Sequence, residues 1–139
     1  MIRVHATCVD FGHAAVLLRG PSGVGKSDLA VRLIDRGALL VADDQVELEA
    51  RRGELWARPP ASLAGKLEAR GLGIMELPHV AKARVRLVVD LTPKEAIARL
   101  PEPAACELEG VRLPLVRLTA FEASAASKLR LLARALPAL

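Results

Sequence analysis

The stretch GPSGVGKS, at residues 20–27, decides the predicted fold because it matches the phosphate-binding loop pattern G-x-x-x-x-G-K-[S/T]. The apolar run before it, residues 14–18, has the length of a buried strand, and residues 28–34 repeat large apolar side chains at helical spacing. The local order is therefore strand, glycine-rich loop and helix, which is the setting that this pattern requires. We predict that the loop binds nucleotide phosphates through Gly20, Pro21, Ser22, Gly23, Val24, Gly25, Lys26 and Ser27.

The residue types of the loop explain how it would bind phosphate. Glycines let the chain curl so that successive N–H groups point at phosphate oxygens, and the N-terminus of the following helix adds partial positive charge. In this arrangement Lys26 reaches the β- and γ-phosphates, and Ser27 offers its hydroxyl to Mg²⁺. The alternative is a glycine-rich turn before an ordinary helix, which the flanking strand and helix disfavour.

The composition indicates a globular chain that we predict to be a single domain over residues 1–139. Hydrophobic residues make up 52% and charged residues 26%, which argues against disorder. No apolar run approaches the roughly 18 residues that cross a bilayer, and the N-terminus has no signal-peptide pattern, so we expect a cytoplasmic protein. Cys8 and Cys106 are too few for a zinc cluster and are predicted to pack in the core. The net charge of +4 suits a phosphate ligand, but mixed charges and 2% aromatics do not indicate nucleic acid.

Short strand-like segments alternate with turns along the rest of the chain. Strands are predicted at residues 3–11, 38–42, 45–49, 85–90 and 113–118, with a hairpin turn at residues 51–54 that leads into residues 55–57. Trp56 is expected in the core. From Thr119 onward, Phe121, Ala125, Leu129, Leu132 and Leu136 mark one face of a helix, and Thr119 with Glu122 forms a predicted capping box.

Asp43 and Asp44 are the second chemical feature, because they follow an apolar strand that would lie near the loop. Ligands in open α/β sheets lie beyond the carboxyl ends of the strands, so these acids would approach the phosphates. One carboxylate could lie near the metal while the other takes a proton from an attacking hydroxyl. The alternative is that both acids cap a turn, since aspartate favours turns.

These residues, together with LEARGLGI at residues 67–74, resemble the catalytic, C-terminal domain of the HPr kinase/phosphorylase family. The family signature is an L-E-x-R-G-L-G-I run, which is far more specific than a phosphate-binding loop, and His5 matches a strand histidine upstream of that loop. The resemblance covers roughly residues 2 to 118. It implies an α/β phosphate-loop kinase domain related to phosphoenolpyruvate carboxykinase, with a mixed central sheet and flanking helices. It also implies a reaction in which ATP phosphorylates a serine of HPr or an HPr-like phosphocarrier of the phosphotransferase system.

The resemblance assigns roles position by position. Lys26 would grip phosphate and Ser27 would bind Mg²⁺, while Asp44 would accept the proton of the serine hydroxyl and Asp43 would support the metal or the base. Glu68 would be a second Mg²⁺ ligand. The remaining catalytic positions implied by the resemblance are His5, Arg70 and Arg99.

The chain departs from the family pattern at two places. It begins almost at the catalytic strand, as in a short form that lacks the family's N-terminal domain. The later P-V-x-x-G-R-N segment, linked to phosphorolysis of the phosphoserine, has no clean counterpart at residues 114–120, and Pro101 follows Leu100 where the family has glycine. We expect a homo-oligomer, with the hexamer and the phosphorylase activity left open. A phosphate-loop kinase of small molecules and a non-catalytic ATP-sensing module are the alternative functions.

Overall fold

The computed structural model describes residues 1–136 as a curled mixed sheet with two helices. The helices are α1, Lys26–Asp35, and α2, Ala125–Ala135, and short 3₁₀ turns occupy Ala61–Leu63 and Lys94–Ala96. The strands are β1 Ile2–Val4, β2 Thr7–Asp10, β3 Ala15–Arg19, β4 Leu39–Ala42, β5 Val46–Arg51, β6 Glu54–Arg58, β7 Lys66–Ala69, β8 Gly73–Glu76, β9 Ala83–Leu91, β10 Ala104–Leu108 and β11 Val111–Leu118.

The order of the strands brings the important strand ends to one edge. Within the described residues the main sheet runs β1-β5-β6-β9-β3-β2-β4, β11 pairs with β9 and β10 lies outside β11, while β7 and β8 form a separate hairpin. Strand β9 is parallel to β3 and to β11, and β2 is antiparallel to both β3 and β4. The carboxyl ends of β4, β3, β9 and β11 therefore share one edge, which we call the loop edge, because the residue 20–27 loop leaves β3 there.

Both faces of the central strands are buried, which explains why β3 reads as a continuous apolar run. Helices α1 and α2 cover one face, where Leu29, Leu33 and Leu129 pack on Val16 and Val89. The other face is covered by the curling of the sheet itself, and the buried side chains there include Cys8, Leu17, Val41, Leu48, Leu55, Val88 and Leu113. No helix among residues 1–136 has the length and apolar character needed to span a membrane.

The predicted elements at residues 14–18, 38–42, 45–49, 85–90 and 113–118 are confirmed within a few residues at each end, as is the hairpin between β5 and β6. The predicted strand at residues 3–11 is instead two strands, because the chain leaves β1 at His5 and Ala6 before β2 begins. Trp56 is not in the core: it lies half-buried on the outer face of β6, with the Lys82 ammonium 5.5 Å from its ring centre.

The predicted capping box is wrong. Helix α2 begins five residues later than expected, after Ser124, with no side-chain hydrogen bond at its N-cap. The Thr119 hydroxyl instead donates to the Thr92 carbonyl at 2.9 Å, so a tertiary contact takes the group that the box would need. Phe121 consequently precedes the helix rather than lying on its buried face.

Burial determines the expected chemistry of the two thiols. Burial, aided by Asp10, raises the pKa of the Cys8 thiol far above its ordinary value of 9.0, and burial also raises the pKa of Cys106, which is half-buried. Since the thiolate is the reactive form, Cys8 should react with a disulfide reagent at pH 8 only after unfolding, and Cys106 should react first.

The raised pKa of Cys8 also makes the stability of the fold depend on pH. Above about pH 9 the thiol ionises in the unfolded chain but stays protonated in the folded one, so the free energy of unfolding should fall as pH rises. Urea denaturation at pH 8 and pH 10 should show this fall, and Cys8→Ala should reduce it.

Candidate functional site

Three glycines give the loop its conformation. Gly20, Gly23 and Gly25 have φ values of 152°, 84° and 103°, which favour glycine strongly. A Cβ at Gly20 would lie 2.7 Å from Val24 Cγ1, and a Cβ at Gly25 would lie 2.7 Å from the Cβ of Ala120. Gly25 is also the N-cap of α1, so the loop leads directly into the helix N-terminus. The glycines of the pattern are therefore required by both backbone conformation and close packing.

Lys26 lies across the mouth of its own loop. Its ammonium donates hydrogen bonds to the carbonyl oxygens of Gly20, at 2.5 Å, and Pro21, at 3.1 Å. The side chain is nearly buried, and this desolvation lowers the pKa of Lys26, while the charges of Asp43 and Asp44 oppose the shift. The loop thus carries a cation that two carbonyl oxygens hold in place.

Asp43 is the buried centre of the site, with 5% of its surface exposed. Its Oδ1 accepts hydrogen bonds from the Ser27 hydroxyl at 2.7 Å and from the Thr7 hydroxyl at 2.9 Å. Its Oδ2 accepts a hydrogen bond from the backbone N–H of Glu68 at 3.3 Å. One carboxylate therefore joins the loop, β2 and the β7–β8 hairpin.

Asp44 differs from its neighbour in exposure and in contacts. Two thirds of its side chain, 66%, is open to solvent, and its Oδ1 lies 3.0 Å from the Nε2 atom of His5, which is itself 46% exposed. The backbone at Asp44 has φ 70°, an unusual conformation that aspartate tolerates better than most residues. The turn after β4 thus buries one acid and presents the next to solvent beside a histidine.

The β7–β8 hairpin carries the signature residues, and it contacts the site through its backbone. Leu67 is buried in the core, and the neighbouring Glu68 N–H binds Asp43. The side chains of Glu68 and Arg70 are exposed, and neither makes a hydrogen bond or ion pair with another described residue. The structure places Glu68 next to the Asp43 cluster, and it places Arg70 at the turn of the hairpin.

Among the described residues, no hydrogen bond or ion pair links Arg99 to these groups. It is exposed in the segment between β9 and β10, and the structure gives it no hydrogen bond or ion pair with the rest of residues 1–136. The structure therefore brings Lys26, Ser27, Asp43, Asp44 and His5 together, with the Glu68 backbone, and does not join Arg99 to them.

Thr7 and the Arg19–Asp90 pair are site-supporting residues that the sequence analysis missed. Thr7 is fully buried at the start of β2. Because β2 is antiparallel to β3, its first residue lies at the loop edge. Arg19 donates two hydrogen bonds to Asp90, at 2.8 and 3.1 Å, and these bonds raise the pKa of Arg19. This pair joins β3 to β9 directly below the loop. An isolated threonine and a pair 71 residues apart give no sequence signal.

The donor set can be tested against a divalent cation. Residues 1–136 contain no cluster of three or more His, Cys, Asp or Glu side chains that would make a closed metal site. Mg²⁺ in phosphate-loop sites is held by one or two protein oxygens, with phosphate and water as the other ligands, so few side chains are needed. The Ser27 hydroxyl and the Asp43 carboxylate, 2.7 Å apart, fit that requirement.

One surface cavity lies away from the Lys26–Asp43 cluster. A cavity of about 340 Å³ on the outer face of β5 and β6 is lined by Trp56, Arg58 and Lys82 among others, and it shares no residue with the Lys26–Asp43 cluster.

The loop and the sheet order define the class as an α/β domain with a phosphate-binding loop. The model of the family "HPr Serine kinase C-terminal domain" matches residues 1–120, so the chain belongs to that family.

Similar proteins agree with this assignment. The HPr kinase/phosphorylase of Streptococcus thermophilus LMD-9 is 37% identical over 127 residues, which cover 83% of this chain and 41% of that protein. The HPr kinase/phosphorylase of Clostridium tetani is 45% identical over 78 residues, which cover 56% and 26%. The chain therefore matches less than half of the length of these relatives.

A solved structure shares the fold over nearly the whole chain. The Hpr(Ser) kinase/phosphatase from Coxiella burnetii superposes with a TM-score of 0.87 at 24% identity, over 96% of this chain and 95% of that one. This similarity confirms the predicted fold class. It also shows that a solved chain of nearly the same extent adopts this fold.

Proposed function

We propose that this chain is a serine kinase that transfers the γ-phosphoryl group of ATP to HPr or to an HPr-like phosphocarrier of the phosphotransferase system. The observation that carries the proposal is the pairing at the loop edge of two adjacent acids, one fixed on Ser27 and one open to solvent. The family and the names of the curated relatives support the choice of ATP and HPr.

The loop would hold the phosphates with N–H groups and with Lys26, whose ammonium would exchange the two loop carbonyls for phosphate oxygens. Ser27 and Asp43 would hold Mg²⁺, and Glu68 is a further candidate ligand. When bound, the ion supplies positive charge to the phosphate oxygens as negative charge moves between them. Preorganised charge of this kind supplies much of the acceleration of phosphoryl transfer.

Asp44 is the better candidate for the proton acceptor. Both oxygens of Asp43 already accept hydrogen bonds from Thr7, Ser27 and Glu68. These bonds hold the Asp43 carboxylate in place, so it cannot turn toward the serine hydroxyl of the substrate. Asp44 keeps one oxygen free of protein partners in the described residues and is open to a serine on a protein surface. His5 would orient the Asp44 carboxylate, and the exposed Arg70 and Arg99 are further candidates for contact with the substrates.

The setting and partners of the reaction follow from the same proposal. ATP and a phosphocarrier are cytoplasmic substrates, so we place the protein there, as a homo-oligomer whose size light scattering would measure. Phosphorolysis of phosphoserine would use the same groups in reverse, and production of pyrophosphate from phosphorylated HPr and inorganic phosphate would test it.

The test of the proposal is a transfer assay with labelled ATP, Mg²⁺ and purified HPr. We expect label on one serine of HPr, none on HPr in which that serine is alanine, and a loss of transfer on the order of a hundredfold or more in Lys26→Ala, because a phosphate-binding cation is lost. ATP binding by Lys26→Ala should also weaken in calorimetry. Binding without transfer would favour an ATP sensor, and turnover of a metabolite without HPr would favour a small-molecule kinase.

A further inference from the structure

Phe121 is an exposed aromatic side chain placed against the phosphate-binding loop. The chain has only two phenylalanines, one tryptophan and no tyrosine, and Phe121 is 64% exposed. A Cβ built on Gly25 would lie 3.0 Å from the Phe121 Cζ atom, so the ring edge lies directly over the last glycine of the loop. Most of the ring remains open to solvent, although burial of its surface would be favourable.

The backbone around Phe121 is fixed. The Arg32 guanidinium donates hydrogen bonds to the carbonyl oxygens of Ala120 and Glu122 and lies 3.0 Å from Asp28. Ala120 is buried, and the preceding Thr119 hydroxyl binds the Thr92 carbonyl. Helix α1 therefore holds the main chain on both sides of Phe121, and the ring projects from an anchored segment.

The order of the strands sets the direction of a bound nucleotide. Across the loop edge the parallel strands are β11, β9, β3 and, beyond β2, β4. Asp43 and Asp44 follow β4, so the phosphate to be transferred must point toward that side. The nucleoside then extends away from the acids, toward the ends of β9 and β11, and Phe121 lies three residues after β11 ends.

We propose that Phe121 is the platform on which the nucleobase of ATP stacks, and that Arg32 is the positioning residue that holds it. The inference rests on the proposed function, because it assigns the base end of the nucleotide whose phosphates lie on the loop. Stacking on an aromatic ring is tolerant of base identity, so ATP and GTP should depend on Phe121 alike.

Calorimetry of the full chain in Mg²⁺ with ATP, GTP and inorganic tripolyphosphate tests this assignment. Phe121→Ala should weaken ATP and GTP binding by on the order of ten- to a hundredfold and leave tripolyphosphate binding within about twofold, while Phe121→Trp should keep ATP affinity. Leu131→Ala is the matched control, since Leu131 on α2 is 63% exposed and should change nothing. As a second measurement, ATP but not tripolyphosphate should quench the new indole of Phe121→Trp beyond the change in wild type.

The outcomes separate cleanly. Equal ATP affinity in wild type and Phe121→Ala would overturn the stacking role, and so would equal weakening of ATP and tripolyphosphate, which would mean that the ring only supports the loop. Wild-type protein that binds no nucleotide would overturn the proposed kinase function and this assignment together, whereas normal HPr phosphorylation by a Phe121→Ala variant with unchanged ATP affinity would overturn this assignment alone.

Discussion

Asp44→Asn should lower phosphoryl transfer to HPr by about 10² to 10⁴-fold while ATP affinity stays within a few-fold of wild type, because the change removes a proton acceptor but no phosphate contact. Asparagine is the right replacement for two reasons. It keeps the size and the hydrogen bond to His5, and it tolerates the φ of 70° at this position, which alanine would not. Single-turnover transfer and calorimetric ATP binding, measured on the same preparation, separate chemistry from binding.

His5→Gln is the companion variant for Asp44. Glutamine can still donate a hydrogen bond to the Asp44 carboxylate, so we expect a smaller loss than for Asp44→Asn. In the double variant, the loss from His5→Gln should largely vanish, because residues that act through one another are not additive. Full transfer by Asp44→Asn would remove Asp44 from the role of proton acceptor and turn attention to Asp43.

The local part of the site could be predicted from the sequence because it depends on contiguous residues. Glycines at fixed spacing, an apolar run and a helical period define the strand, loop and helix without knowledge of distant contacts. The signature at residues 67–74 could likewise be identified from the sequence. Its contact with Asp43, however, is made by the backbone N–H of Glu68, a group that every residue type except proline has. Sequence could identify the segment but not the atom that makes the contact.

The unpredicted features depend on tertiary contacts. Asp43 and Asp44 are adjacent residues of the same type, so the sequence does not show which of them is buried. The turn after β4 buries Asp43 and leaves Asp44 open to solvent. The strand predicted at residues 3–11 breaks at His5 because β1 pairs with β5 whereas β2 pairs with β3 and β4. A capping box at Thr119 was locally reasonable, but the Thr92 carbonyl competes successfully for the same hydroxyl.

Asp43→Ala should destabilise the fold by about 3 kcal/mol, because it removes an acceptor that serves three donors in a buried setting. The hydroxyl of Thr7, which is fully buried, would lose its partner, and the Glu68 N–H would no longer tie the β7–β8 hairpin to the sheet. Urea denaturation gives the change in the free energy of unfolding. The same variant should also weaken the Mg²⁺ dependence of ATP binding, since it removes one of the oxygen donors proposed for the ion.

A Thr7→Val variant shows whether Asp43 acts as a hub rather than as an isolated charge. Valine has nearly the shape of threonine without the hydroxyl, so this variant should lose about 1 kcal/mol in the wild-type background and much less when Asp43 is already alanine. Removal of the Asp43 charge should also lower the pKa of Lys26 further, because that charge opposes the effect of burial. ATP binding by Asp43→Ala would then weaken as pH rises over a range in which the wild type is constant. Unchanged stability of Asp43→Ala, or equal losses from Thr7→Val in both backgrounds, would show that the three hydrogen bonds do not act as one unit.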